Sequence, residues 1–199
     1  MRACIVGNGS SVYNSWMGEY IDGMDIVIRM HEFKNTYPAD FGKKYDYGIL
    51  PAPWLSEARE QITMVPDEGW LLYSFGKHKK YLNVKEVEGR QVHHFNIDDT
   101  FHEIFKTGKA PTMGLAAVLM TAIHLKPKEI YLAGFDSVAN GKITQYHELS
   151  GILESDEFIG KSENNRHNYA YENKMVGVIS DKFGIKIKYL WGAYDDSYI

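Results

Sequence analysis

The chain predicts an α/β fold with a mostly parallel sheet, and three observations carry that expectation. Short apolar runs recur from residue 3 to residue 190 and stop in glycine or proline turns, the pattern of strands covered on both faces. Two of them end in loops of the kind found at the carboxyl edge of such a sheet, Gly7-Asn8-Gly9-Ser10 and Gly134-Phe135-Asp136. Two segments of helical character, 115–125 and 166–183, lie among the runs. With 199 residues, 44% hydrophobic and 24% charged, the chain suits one domain, 1–199, able to bury a sizeable core.

The first run, Ala3-Cys4-Ile5-Val6, reads as a buried strand delivering a phosphate-sized loop. Glycines at 7 and 9 permit left-handed backbone and close approach, while Asn8 and Ser10 offer side-chain donors and acceptors to a nucleotide. No Gly-Lys-Ser/Thr follows, and Val12 stands where a dinucleotide fingerprint has its third glycine. A tight turn that binds nothing accounts for these residues equally well. Residues 13–20 suit a short helix or irregular segment, and 25–30 a second strand ending at His31. If the first two strands are parallel neighbours, Arg29 and His31 lie beside the first loop. Strands are expected at 46–50, stopped by Pro51 and Pro53, and at 70–75. Between 76 and 110 the pattern weakens.

Pro111 and Thr112 are start signals for the apolar helix that runs to Pro127, and its amino end is a natural anion site. Residues 129–136 read as a central strand whose Asp136 is placed either to meet a sugar hydroxyl or to cap a turn. The polar, glycine-punctuated stretch 137–165 suits a mobile lid or a long surface excursion. Arg166 or His167 opens the last helix, where Tyr171, Met175, Val178 and Ile179 make an apolar face, and 185–191 alternates like a strand near an edge. His167, near a helix start, suits a neutral general base and equally an ordinary surface or capping residue.

Composition excludes some classes. A net charge of −4 gives no global push toward nucleic acid, and the Lys77-His78-Lys79-Lys80 cluster reads as a solvated loop, with an anionic acceptor or membrane surface as the sharper alternative. The single cysteine, Cys4, can form no internal disulfide, and no apolar run reaches membrane-spanning or signal length, so a soluble, cytoplasmic protein is expected. His93, His94 and His102 lack the spacing and thiolate neighbours of a metal site, and no Asp-x-Asp pair is present; no metal ligand is assigned.

Five stretches then carry a resemblance: 5–10, Val27-Ile28-Arg29-Met30-His31-Glu32-Phe33, Pro111-Thr112-Met113-Gly114, 130–136 and the His167 helix. In order and spacing they resemble the motifs of the sialyltransferases, the small bacterial lipooligosaccharide enzymes and, more loosely, the animal sialylmotif enzymes. That resemblance implies an inverting, metal-independent glycosyltransferase with a single Rossmann-like domain, a GT-A-like variant, and a lid at 137–165. It also implies a CMP-activated sugar such as sialic acid as donor, a substrate rather than a cofactor, and a glycan or other hydroxyl as acceptor. By matched position Asn8, Gly9 and Ser10 would meet donor phosphate or ribose, joined by Arg29 and His31. Thr112 and Gly114 would hold the nucleotide, Gly134 and Asp136 would border cytidine and ribose, His167 would act as base, and Tyr146 would assist the leaving phosphate. His31 departs from the family, which carries asparagine there, and this opens the identity of the nucleotide sugar. Other readings remain: a transferase modifying phage DNA bases, with nucleic acid as acceptor, a nucleotide-sugar hydrolase, or a non-catalytic nucleotide-binding module. His147 on the lid rivals His167 as base, and a homo-oligomer is compatible with the sequence.

Overall fold

The structure is a computed structural model and describes residues 1–7, 9–30, 37–52, 64–74, 84–96, 111–135, 144–147, 151–154 and 169–190. Eight strands form one sheet: β1 (Arg2–Val6), β2 (Ile26–Met30), β3 (Tyr47–Pro51), β4 (Gly69–Ser74), β5 (Glu86–Val87), β6 (Arg90–Asn96), β7 (Glu129–Ala133) and, after a separate antiparallel hairpin of β8 (Thr144–His147) and β9 (Gly151–Glu154), β10 (Lys186–Leu190). Their order is β10-β7-β1-β2-β3-β4-β6-β5, and every neighbouring pair is parallel except β5 with β6. The α/β expectation holds, with β10 at an edge and β7 one strand in from it.

Helices cover both faces. Ile5, Ile28, Ile49, Leu71, Ile130 and Leu132 point to one side, against α3 (Met113–Met120) and α4 (Tyr169–Phe183) once α1 (Gly18–Asp22) and α2 (Pro38–Phe41) are numbered on the other. Cys4, Val6, Val27, Tyr131 and Ala133 point to that other side, against Ile21, Met24 and Phe41. This alternation is why the strands read as continuous apolar runs: each face has its own core to fill. A third cluster, built on Leu50, Trp70, Leu72 and Val87, completes the second face, with the Trp70 indole N–H donating to the Val87 carbonyl at 3.1 Å.

Helix α3 is buried from Leu115 to Met120, so its sequence shows no polar stripe. Its chain continues as a π-helical turn, Thr121–Leu125, closed by the Lys126 N–H on the Thr121 carbonyl with Lys126 in the left-handed region, just before Pro127. In α4 the residues facing the core are Glu172, Met175, Val176 and Ile179. Gly184, at φ 63°, turns the chain into β10.

One stretch differs from expectation. Strands β5 and β6 fill part of the stretch that carried no strand pattern, because β6 (RQVHHFN) is only partly buried and its exposed positions break the apolar run. The segment 13–20, expected as a short helix or irregular segment, is a bent turn at 13–17 leading into helix α1, after a 3-10 turn at Ser10–Val12.

Candidate functional site at the carboxyl edge of the sheet

The first and seventh strands end side by side, and their loops are locked to each other. The Gly7 N–H donates to the Ala133 carbonyl at 2.7 Å, and the Gly9 N–H to the Gly134 carbonyl at 2.9 Å. Gly134 is left-handed, at φ 68°, and a Cβ there would stand 2.8 Å from the Gly7 oxygen and 3.0 Å from the Gly9 nitrogen. A Cβ on Gly7 would meet the Gly134 oxygen at 2.6 Å. The left-handed glycine that the first loop was expected to supply is therefore Gly134, and Gly7 is a glycine for close approach. Because the N–H groups of Gly7 and Gly9 are spent on this lock, a ligand over the edge must be met by other groups.

The amino end of α3 lies next to this edge, with Gly114 against the Phe135 ring, where a Cβ would come within 2.9 Å of Cε1. Thr112 is the N-cap, and its Oγ1 accepts from the Leu115 N–H at 3.2 Å. Glu172 of α4 reaches the same point: one carboxylate oxygen accepts from the Thr112 N–H at 2.9 Å and the other from the Thr112 hydroxyl. The anion that the helix start was expected to attract is thus in part supplied by the protein itself. Burial pushes the Glu172 carboxyl up, and its two bonds to Thr112 oppose that. Among the described residues, none accepts from the N–H groups of Met113 or Gly114.

Arg29, expected beside the donor, has 0% exposure and no face to offer a ligand. It lies on the α1–α2 side of β2, where its Nε donates to the Lys44 carbonyl and its Nη2 to the Phe41 carbonyl, both at 2.8 Å. The strand's alternation is the reason: Ile28 and Met30 face α3, so Arg29 faces the other way and pins the chain that leaves α2.

Sequence reasoning overlooked Asp40. Buried in α2, it accepts from the Asn14 N–H with Oδ2 and from the Trp16 N–H with Oδ1, both at 3.0 Å. Asn14 and Trp16 are left-handed, at φ 59° and 58°. Such a conformation is ordinary for asparagine but costs a bulky residue about 1–2 kcal/mol. Glu172 was also missed, although a signal existed: it sits at i with Met175, Val176 and Ile179 at i+3, i+4 and i+7, a carboxylate on an apolar stripe.

Asn8, His31, Asp136 and His167 lie outside the described residues, as does most of the 137–165 stretch. Ser10 and Tyr146 are described in backbone only; Tyr146 pairs with Ile152 in the β8–β9 hairpin, and β8 passes beside the 10–12 turn. Among the described residues no three of His, Cys, Asp and Glu are grouped to hold a metal, and no helix is long and apolar enough to cross a membrane.

Residues 1–64 match the model of glycosyltransferase family 29 (sialyltransferase). No curated protein sequence matches the chain. Among solved structures, a mammalian sialyltransferase is similar with a TM-score of 0.64 at 19% identity, over 96% of this chain and 69% of that one. The sialyltransferase CstII from Campylobacter jejuni in complex with cytidine-5'-monophosphate is similar with a TM-score of 0.57 at 20% identity, over 96% of this chain and 80% of that one. The monofunctional alpha-2,3-sialyltransferase Cst-I from Campylobacter jejuni gives 0.57 at 17% identity, over 100% and 77%. With the parallel sheet, its helices on both faces and the locked β1 and β7 loops, these likenesses establish that the chain has the Rossmann-like, GT-A-type fold of the sialyltransferases.

Proposed function

We propose that the protein is an inverting glycosyltransferase that moves a sugar, sialic acid or a relative, from a CMP-activated donor to an acceptor hydroxyl. The observation that carries this reading is the interlocked pair of loops ending β1 and β7 beside the start of α3, a rigid strand-end ledge at the switch between neighbouring strands where α/β folds take nucleotides. The family match over 1–64 and the likeness to a CMP-bound sialyltransferase support the choice of donor.

On this reading the acceptor oxygen loses its proton to His167 and attacks the anomeric carbon, while the bond from that carbon to the CMP phosphate oxygen breaks. Charge grows on the departing phosphate, where Asn8, the Gly114 N–H and the Tyr146 hydroxyl would meet it. Asp136 would hold the ribose. The 137–165 stretch would close over the sugar and keep water from it. His147 is a second candidate base because β8, which it ends, runs beside the 10–12 turn.

Incubation with CMP-, UDP- and GDP-sugars, followed by melting temperature and nucleotide release, tests the class and the donor together. Stabilisation and turnover with a CMP-sugar alone are expected, undiminished in EDTA. Loss in EDTA restored by manganese or magnesium would replace the mechanism by a metal-dependent one, and no response to any nucleotide would leave a binding-incompetent fold. His167→Ala should lower kcat by roughly 10²- to 10⁴-fold with donor affinity kept, and the same loss in His147→Ala alone would move the base to the lid.

A further inference from the structure

We propose that Trp16 is a stacking platform for a pyranose ring of the acceptor, an inference that rests on the glycosyl-transfer reading and names where its second substrate sits. Trp16 is the most exposed large hydrophobic side chain among the described residues, at 79%, yet its backbone is held left-handed. Burial does not explain that conformation, because the ring packs on little. What holds it is Asp40, itself only 6% exposed, through the paired bonds to Asn14 and Trp16. Two further features brace the turn from below: the Ser15 hydroxyl accepts from the Met17 N–H at 3.3 Å, and Gly18 lies against the α2 backbone so closely that a Cβ would stand 2.0 Å from the Pro38 oxygen. A strained, well-anchored turn that pushes an indole into solvent is a presentation device.

The chemistry around the ring selects the ligand. Tyr13 and Tyr37 meet edge to face at 5.1 Å next to the turn, and Tyr20 at 47% and Tyr37 at 37% are the other exposed aromatics of this region among the described residues. A single flat apolar face held in solvent matches one pyranose ring, which presents a C–H face of similar size. A lipid surface would call for several apolar side chains on one face. The turn also continues directly from the 10–12 turn, which follows the first loop and lies beside β8, so a sugar on Trp16 lies at the same end of the sheet as the donor ledge.

The test uses the full chain and its Trp16→Ala and Trp16→Phe variants on a printed glycan array, with CMP affinity by calorimetry and co-sedimentation with phosphatidylethanolamine–phosphatidylglycerol vesicles in parallel. Melting temperature checks folding, which an exposed side chain should not control. The expected result is glycan binding by the wild type, roughly tenfold weaker in Trp16→Ala and largely kept in Trp16→Phe, with CMP affinity equal in all three. Equal glycan binding by wild type and Trp16→Ala overturns the platform, as does CMP binding with no glycan bound by any variant. Trp16-dependent binding to vesicles with no glycan bound overturns it in favour of a membrane contact. Trp16-dependent glycan binding without CMP binding keeps the platform and sinks the transferase reading.

Discussion

Two stretches of the carboxyl edge were expected to receive the donor phosphate, and they are built from different material. The β1–β7 ledge is backbone against backbone, with glycines at 7 and 134 removing side chains so that carbonyl and N–H groups meet. The α3 start is side chain against backbone, with the Glu172 carboxylate and the Thr112 hydroxyl filling the site. A ledge made of backbone is indifferent to pH and intolerant of any added atom. A clasp made of a buried carboxylate tolerates small changes of shape and responds to protons. The contrast also says which of the two could be opened by a ligand: only the second uses a group that could swing aside.

The largest effect should come from breaking the ledge. Gly134→Ala introduces a Cβ 2.8 Å from the Gly7 oxygen in a left-handed conformation. A cost of about 3 kcal/mol is expected, lowering Tm by roughly 6–12 °C in a chain of this size. A melting temperature within a degree of wild type would show that the ledge yields and that the contrast is overdrawn.

Next comes the clasp. Glu172→Ala leaves the half-buried Thr112 N–H and hydroxyl without their carboxylate acceptor, a loss of about 1–3 kcal/mol in denaturant titration. Glu172→Gln keeps an acceptor and should lose less. The pH dependence has a definite sign: a carboxyl whose folded pKa lies above its unfolded value holds its proton more tightly when folded, so its contribution falls as pH rises from the ordinary glutamate value of 4.5 through the folded pKa. The stability of wild type relative to Glu172→Gln should therefore decline with rising pH across that window. A flat difference would mean that Glu172 acts by shape alone.

A smaller gain is expected from Trp16→Gly, which removes the left-handed penalty where nothing is buried. A rise of about 1 kcal/mol, or roughly 2–4 °C in Tm, should accompany it. No change would show that Asp40 offsets the strain fully. Finally, Cys4, fully enclosed beneath the ledge, has its thiol pushed up to about 12 by burial. Alkylation by iodoacetamide at pH 8 should follow global unfolding; labelling at lower denaturant would reveal local opening of β1.

Much of the fold was legible because five of its strands, β1 to β4 and β7, are enclosed on both faces and so spell nearly uninterrupted apolar runs. Strand β6 was not, since His93 and His94 sit half-buried at its centre and the His94 Nε2 is tied to the Val84 carbonyl at 2.6 Å. The start of α3 could be read from Pro111 and Thr112, but its occupant lies 60 residues away, and only a carboxylate on the α4 stripe hinted at it. Arg29 misled because its neighbourhood in sequence is the strand end, while its side chain follows the pleat to the opposite face. The 13–17 turn hides its purpose in backbone angles, which no run of residue types spells out.

Strand β1 pairs on one edge with β2, only a short chain segment away, and on the other with β7, whose residues emerge from the ribosome far later. At ordinary elongation rates of about 5–20 residues per second, that second edge stays unpaired for roughly 6 to 25 s. During this interval the nascent chain carries an apolar strand with an open hydrogen-bonding edge, able to recruit β1 of a neighbouring chain on the same message. Synthesis speed between residues 7 and 133 thus becomes a determinant of yield: slow codons before β7 lengthen the exposure, and chaperone occupancy of the first thirty residues shortens its consequences.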